Sequence, residues 1–313
     1  MRRRRSLVTV LVSLVVVLVS AGGVAAAERP TGPRGTVSAT GLTHYVALGD
    51  SYTSGPLIPF PRLDPPGCVR STNNYPSLLA RALDWTWLTD VSCGGADTTH
   101  MTRPQEVTLG VNPPQFDALG PHTDLVTLGI GGNDHGVFGD VISTCPPLRE
   151  TDPEGAPCRE HFTVDGTDTL LEAIADTGDR VATVLRGARD RAPEATILLV
   201  GYPRIAPESG TCPEVLPFAD GDYPWLRGVE EALNDALSTA ASEVDAATFV
   251  DLRPASRGHD ACAGAEAWIQ GQETDLLAAA SYHPRRAGME GVAEVLRDHL
   301  TGAAGATGVS GAE

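Results

Sequence analysis

Short apolar runs alternate with longer helical patterns along most of this chain. His44 to Leu48, Asp124 to Ile130 and Thr196 to Val200 are nearly unbroken apolar runs of strand length, as expected of strands buried on both faces. Leu88 to Ser92 and Thr248 to Leu252 read as two shorter strands. Between the strands the period changes. Tyr75 to Leu83 sets Leu78, Leu79 and Leu83 on one helical face, and Thr169 to Arg191 reads as a long amphipathic helix. Tyr223 to Val244 is helical, and Gly288 to Leu300 forms a closing helix. Strands alternating with long helices predict a parallel sheet covered on both faces. Two stretches rich in cysteine and proline, Pro56 to Asn74 and Ser143 to Asp168, read as loops. Loops of that length need pinning or carry function. There is no internal repeat and no heptad pattern.

The two ends follow different rules. Arg2 to Arg5 form a cationic segment, Leu7 to Val19 an apolar one, and Ala25-Ala26-Ala27 a small-residue cleavage site. That order predicts a secretory signal over residues 1–27, removed after Ala27, with no stable membrane insertion afterwards. The alternative is an uncleaved anchor, since Leu7 to Ala27 is just long enough to span a bilayer. Residues 28–42 read as a loose leader, 43–301 as one domain and 302–313 as a frayed tail. Of the 313 residues, 286 remain after such a cut, enough for a substantial core.

Composition narrows the function classes. All 23 basic residues are arginine, and the formal charge is −17, becoming −21 without the four signal arginines. Such a chain has no footprint for nucleic acid. Six cysteines, Cys68, Cys93, Cys145, Cys158, Cys212 and Cys262, follow the signal, and an even count there reads as three disulfides. No Cys/His spacing suits zinc, so neither a metal nor a cofactor is expected. Spacing alone does not choose the pairing.

The candidate chemistry starts at Gly49-Asp50-Ser51-Tyr52, directly after the first strand. The carboxyl ends of parallel strands are where such sheets display ligand groups, so Ser51 is placed to act as a nucleophile. It then needs an oxyanion site and a base. Gly131-Gly132-Asn133-Asp134 ends the strongest strand and offers the Asn133 amide at the same sheet edge, and Cys93-Gly94-Gly95-Ala96 forms a second glycine turn. Both are also ordinary turn formers. Of eight histidines, His44, His122, His161 and His299 read as surface or strand-edge residues. His283 differs, because Pro284 holds it out of helical geometry in a loop before the closing helix. Asp50 and Asp134 read as structural residues that fix their turns. No Gly-x-Ser-x-Gly occurs, which removes the signature of an α/β-hydrolase elbow.

Taken together, Gly49-Asp50-Ser51-Tyr52, Gly95, Gly131-Gly132-Asn133-Asp134 and His283-Pro284 resemble, in order, the four motif blocks of the SGNH (GDSL-type) hydrolases. The resemblance spans about Tyr45 to Leu300 and is greatest to the secreted actinobacterial lipase/esterase branch. It implies a flavodoxin-like three-layer α/β/α sandwich around a central parallel sheet. It implies Ser51 as nucleophile, His283 as base, and an oxyanion hole of the Ser51 and Gly95 N–H groups with the Asn133 side chain. It also implies the disulfides Cys68–Cys93, Cys145–Cys158 and Cys212–Cys262. One departure stands out. Many members carry aspartate three residues before the histidine, where this chain has Ala280, and Asp275 is eight residues away. The expectation is a Ser–His dyad steadied by a backbone carbonyl, that of Ala280 or Ser281.

The expected activity is hydrolysis of lipid-like or short-to-medium acyl esters by a secreted monomer. Pro56, Leu57, Ile58, Pro59 and Phe60, and Val215, Leu216, Pro217 and Phe218, are candidate linings of an acyl pocket. Phospholipase A-type and carbohydrate acetyl esterase activities use the same machinery. The non-enzymatic alternative is a secreted binding protein on an inactive scaffold.

Overall fold

Every second residue of the central strands faces the same helical layer, and nearly all of these residues are apolar. In the computed structural model, which describes residues 43–84 and 87–302, five parallel strands make the central sheet. They are β1 (His44–Gly49), β2 (Trp87–Asp90), β3 (Leu125–Gly129), β4 (Thr196–Val200) and β5 (Ala247–Val250). Their spatial order is β2-β1-β3-β4-β5, the flavodoxin-like doubly wound order. The signal, the leader and the tail beyond Gly302 lie outside the described residues.

Val46, Leu48, Val126, Leu128, Ile197 and Leu199 point to one face. There they pack on α5 (Thr169–Arg191) and α6 (Tyr223–Ser242). Tyr45, Ala47, Leu125, Leu198 and Val200 point to the other, against α2 (Tyr75–Ala82) and α7 (Arg286–Thr301). This alternation explains why the strands read as continuous apolar runs: both faces are dry. Leu125, Leu128 and Leu198 are fully buried, so truncating one to alanine costs about 2–5 kcal/mol. The strands and long helices start and stop within about two residues of the expected positions.

The stretch Ser143 to Asp168 is not a loop. It holds the C-terminal half of α3 (Val137–Arg149), then α4 (Pro157–Phe162), then a small hairpin pairing Thr163–Val164 with Thr167–Asp168. Val137, Val141 and Cys145 recur every four residues and are all buried, so one helical face is apolar although Pro146 and Pro147 fall in the last turn. The cap of α4 comes from far away: the Asp222 carboxylate accepts the N–H groups of Cys158 at 3.0 Å and Arg159 at 2.9 Å. The other long connection, Pro56 to Asn74, is irregular apart from one turn at Pro66–Cys68 and a bridge between Pro61 and Ser71. The disulfides are Cys68–Cys93, Cys145–Cys158 and Cys212–Cys262, the pairs that the resemblance implies. No helix among the described residues is long and apolar enough to cross a membrane.

The register sets up the site. Gly49 at the end of β1 lies opposite Gly129 at the end of β3. The two following turns therefore leave the sheet level with each other, in the crevice where strand order reverses.

Candidate active site

Gly49 has φ 150°, and a Cβ there would lie 2.3 Å from Thr53 Oγ1 and 2.5 Å from the Gly129 carbonyl, so only glycine fits. The Gln115 side chain clamps it, accepting from Gly49 N–H at 2.7 Å and donating to its carbonyl at 2.9 Å. The chain then enters a single helical turn, α1 (Ser51–Ser54), capped by Asp50, whose carboxylate accepts Tyr52 N–H at 2.8 Å. Ser51 is its first residue and is buried. The Ser51 N–H has no acceptor among the described residues, as expected of a helix's first position.

Two glycine turns flank Ser51. In the first, Cys93 N–H donates to the Gly49 carbonyl at 2.9 Å, and Gly95 has φ 73°. The Gly95 N–H also has no acceptor among the described residues. In the second, Gly132 leaves no room for a side chain: a Cβ would lie 2.5 Å from the Phe138 ring. Asn133 Nδ2 donates to the Ala96 carbonyl at 2.9 Å, which ties the two turns together and leaves one amide hydrogen to spare. Asp134 is buried and accepts the Thr98 N–H at 3.1 Å and the Thr98 hydroxyl. Asp50 and Asp134 thus fix turns, Asp134 doing so across to the neighbouring turn.

His283 arrives from the loop before α7. Its Nδ1 donates to the Ser281 carbonyl at 2.6 Å, while the Ala280 carbonyl accepts the His283 backbone N–H at 3.2 Å. Of the two candidate carbonyls, then, Ser281's meets the imidazole. A carbonyl only accepts, so the proton sits on Nδ1 and leaves the Nε2 lone pair free. Burial pulls the His283 pKa below its usual 6.5, with the Ser281 carbonyl opposing. The carboxylate of Asp275 instead accepts Leu277 N–H at 2.8 Å. Tyr52, which sequence reasoning passed over, steadies this loop. Its hydroxyl donates to the Tyr282 carbonyl at 2.6 Å, and its ring lies 5.6 Å from the imidazole. Tyr282 itself holds a left-handed φ of 59°, so the loop depends on such ties.

Ser51, Asn133 and His283 all line one cavity of about 100 Å³. Its remaining wall is mostly apolar: Phe138 and Ile142 from α3, Ile205, Phe218, and Leu226 from α6. Gly95 does not line it and is linked to it through Ala96 and Asn133. The expected acyl lining needs correction. Of the two candidate segments only Phe218 lines the cavity. Ile58 is buried against the α2 and α7 face, and Phe60 points to solvent. The wall that replaces them is the first half of α3, just ahead of the stretch read as a loop.

Two buried carboxyls bear on the cavity: Asp50 lines it, and Glu230 holds the segment that brings Ile205 to it. Burial pushes Asp50 up to about 7, opposed by hydrogen bonds from Tyr202 and Tyr52 N–H. Burial pushes Glu230 up to about 8 while it accepts the N–H groups of Ile205 and Ala206. Among the described residues, no cluster of His, Cys, Asp or Glu is arranged to hold a metal ion. His44, His122, His161 and His299 are exposed.

The model of the GDSL-like lipase/acylhydrolase family matches residues 47–290, from within the first strand to the closing helix. The chain belongs to that family. Membership makes it a carboxylic ester hydrolase. Lipase 2 of Streptomyces coelicolor is 43% identical over 239 residues, covering 74% of this chain and 77% of that protein. Among solved structures, phospholipase A1 from Streptomyces albidoflavus superposes with a TM-score of 0.68 at 30% identity, covering 82% of this chain and 99% of the other. The extracellular lipase of Streptomyces rimosus gives a TM-score of 0.63 at 28% identity, over 82% and 99% of the two chains.

Proposed function

We propose that the chain is a secreted serine esterase/lipase in which Ser51 is the nucleophile and His283 the general base. The observation that carries this reading is one apolar cavity onto which Ser51, Asn133 and His283 all open. His283 Nε2 takes the Ser51 proton as Oγ bonds to the ester carbonyl carbon. The oxyanion is held by the Ser51 and Gly95 N–H groups and the spare Asn133 hydrogen. His283 gives its proton to the departing alcohol as the C–O bond breaks, leaving Ser51 acylated. Water then repeats the sequence and releases the acid. Burial keeps His283 neutral, and so ready as a base, at neutral pH. The Ser281 carbonyl orients the ring without the charge that an aspartate would bring.

The apolar walls support a lipid-like substrate class. Phe138, Ile142, Phe218 and Leu226 suit an acyl chain and offer a sugar ring few polar partners. Lipid-like or short-to-medium acyl esters are therefore the expected substrates. The likeness to a phospholipase A1 supports phospholipid as a second substrate. An organophosphonate should label Ser51 covalently, and a chain-length series of aryl esters beside triglyceride, phospholipid and acetylated xylan should show a preference for the acyl lipids. Folded protein that takes no label would sink the serine reading and return the binding-protein alternative. Preference for acetylated xylan would overturn the substrate class alone.

A further inference from the structure

We propose that Tyr202 is a positioning residue whose single buried hydroxyl locks the nucleophile turn to the oxyanion turn. The proposal rests on the roles assigned above to Ser51 and Asn133. The Tyr202 hydroxyl donates to Asp50 Oδ2 at 2.5 Å and accepts Gly132 N–H at 2.8 Å. Asp50 immediately precedes Ser51, and Gly132 immediately precedes Asn133. One oxygen atom therefore sets the spacing between the attacking group and a group that receives the developing charge. Misplacing such groups by an ångström costs about a hundredfold in rate.

Tyr202 is itself held firmly. Asn234 on α6 accepts its backbone N–H at 2.9 Å and donates to its carbonyl at 3.1 Å. Its ring meets Tyr52 edge-on at 5.1 Å and Phe138 edge-on at 5.4 Å. The direction of the chain of hydrogen bonds is fixed. Gly132 N–H can only donate, so the hydroxyl must donate onward, and Asp50 must accept. A carboxylate does this on both oxygens, since Oδ1 already caps α1. A protonated Asp50 is neutral, so the charge-assisted bond from the Tyr202 hydroxyl weakens to an ordinary one, and it is lost where the proton sits on Oδ2.

The groups facing Asp50 do not offset burial with a positive charge. Tyr202 comes from the loop after β4, Asp134 from the turn after β3, Tyr75 from α2 and Tyr52 from α1. Asp50 and His283 also share the cavity wall. Burial places Asp50 near neutrality, at about 7, and His283 below 6.5. As pH falls, Asp50 takes its proton first and the lock weakens before the base is lost. The acid side of the rate profile therefore reports two groups, with Asp50 the upper one.

The test compares the wild type with Tyr202→Phe and Asp50→Asn, measuring kcat and KM for an aryl butyrate from pH 5 to 9. Rates are expressed per site titrated with the phosphonate, so that misfolded protein drops out. Tyr202→Phe should lose roughly ten- to a hundredfold in kcat with KM within about twofold. It should also lose the Asp50 step from the acid limb, leaving the limb to His283, because without the hydroxyl the protonation of Asp50 has no lock to weaken. Asp50→Asn, which cannot titrate, should move the limb the same way, toward His283. A merely structural tyrosine would lower the number of active sites and leave the limb in place. Tyr202→Phe within threefold of wild type per site, or a limb unmoved in either variant, overturns the proposal. If Tyr202→Phe does not fold, the Asp50→Asn limb decides alone. Ser51→Ala that still turns over would instead overturn the serine reading beneath it.

Discussion

Asn133 does two jobs with one side-chain nitrogen, and Asn133→Ala separates them by magnitude. One hydrogen of Nδ2 is bound to the Ala96 carbonyl at 2.9 Å, and the other is the proposed oxyanion donor. A lost oxyanion donor costs about 2.7–4 kcal/mol of barrier, or roughly 100- to 1,000-fold in kcat. A lost neutral hydrogen bond to a partly buried carbonyl costs about 1 kcal/mol of stability, which in a domain of this size lowers Tm by about 2–4 °C. The large effect should therefore appear in kcat and the small one in Tm. Substrate binding in the apolar cavity does not involve the amide, so KM should barely change. The assay is aryl ester hydrolysis per phosphonate-titrated site, beside a thermal melt. Asn133→Asp adds a sharper contrast. It keeps the size of the side chain but presents an acceptor to both the Ala96 carbonyl and the oxyanion, so its kcat should fall below that of the alanine variant. A loss under threefold in Asn133→Ala, or a loss confined to KM, would remove Asn133 from the oxyanion site.

Other expectations follow from single contacts. Tyr52→Phe keeps the ring beside His283 but drops the bond to the Tyr282 carbonyl, so kcat should fall about five- to tenfold with a melting decrease of a few degrees, and an unchanged kcat would leave the loop independent of that hydroxyl. Gly139 lines the cavity, and a Cβ there meets nothing within 4 Å, so Gly139→Phe should fill the acyl space without breaking the fold. Decanoyl esters should then lose about tenfold relative to acetyl esters, and an unshifted chain-length profile would place the acyl chain elsewhere. Asp50 and Glu230 have folded pKa values raised to about 7 and about 8, against unfolded values near 4. Their contribution to stability is full below about pH 4 and is lost as pH rises through 7 to 8, so Tm should fall between pH 5 and pH 8. Glu230→Gln should flatten that slope, and a Tm rising over the same range would contradict the buried-acid account. Asp64 and Asp124, whose pKa values are lowered, act only in the acid range below about pH 4, while His283, lowered from 6.5, opposes the fall as one group against two.

How legible the chain was depended on the distance over which each feature is determined. The strands Asp124 to Ile130 and Thr196 to Val200 announced themselves because a strand dry on both faces must be apolar throughout. Ser51, Asn133 and His283 stood out as candidates because each lies within two residues of a glycine or proline at a turn. The helix α3 was not read, because Pro146 and Pro147 spoke louder than the spacing of Val137, Val141 and Cys145, which did carry the signal. The α4 cap was out of reach: Asp222 supplies it from 64 residues away in sequence. Tyr202 and Tyr52 were equally silent. Their partners lie 152 and 230 residues off, and a tyrosine's hydroxyl has no local pattern that says what it will hold.

The parallel sheet has a consequence for how the protein comes into being. Ser51 and His283 stand 232 positions apart, with the other motif residues between them in order. During synthesis the serine leaves the ribosome long before its imidazole exists. No nascent fragment ending before His283 holds both. On the roles proposed for Ser51 and His283, the newborn chain is inert toward esters for most of its assembly, and competence arrives only once the histidine has joined the fold.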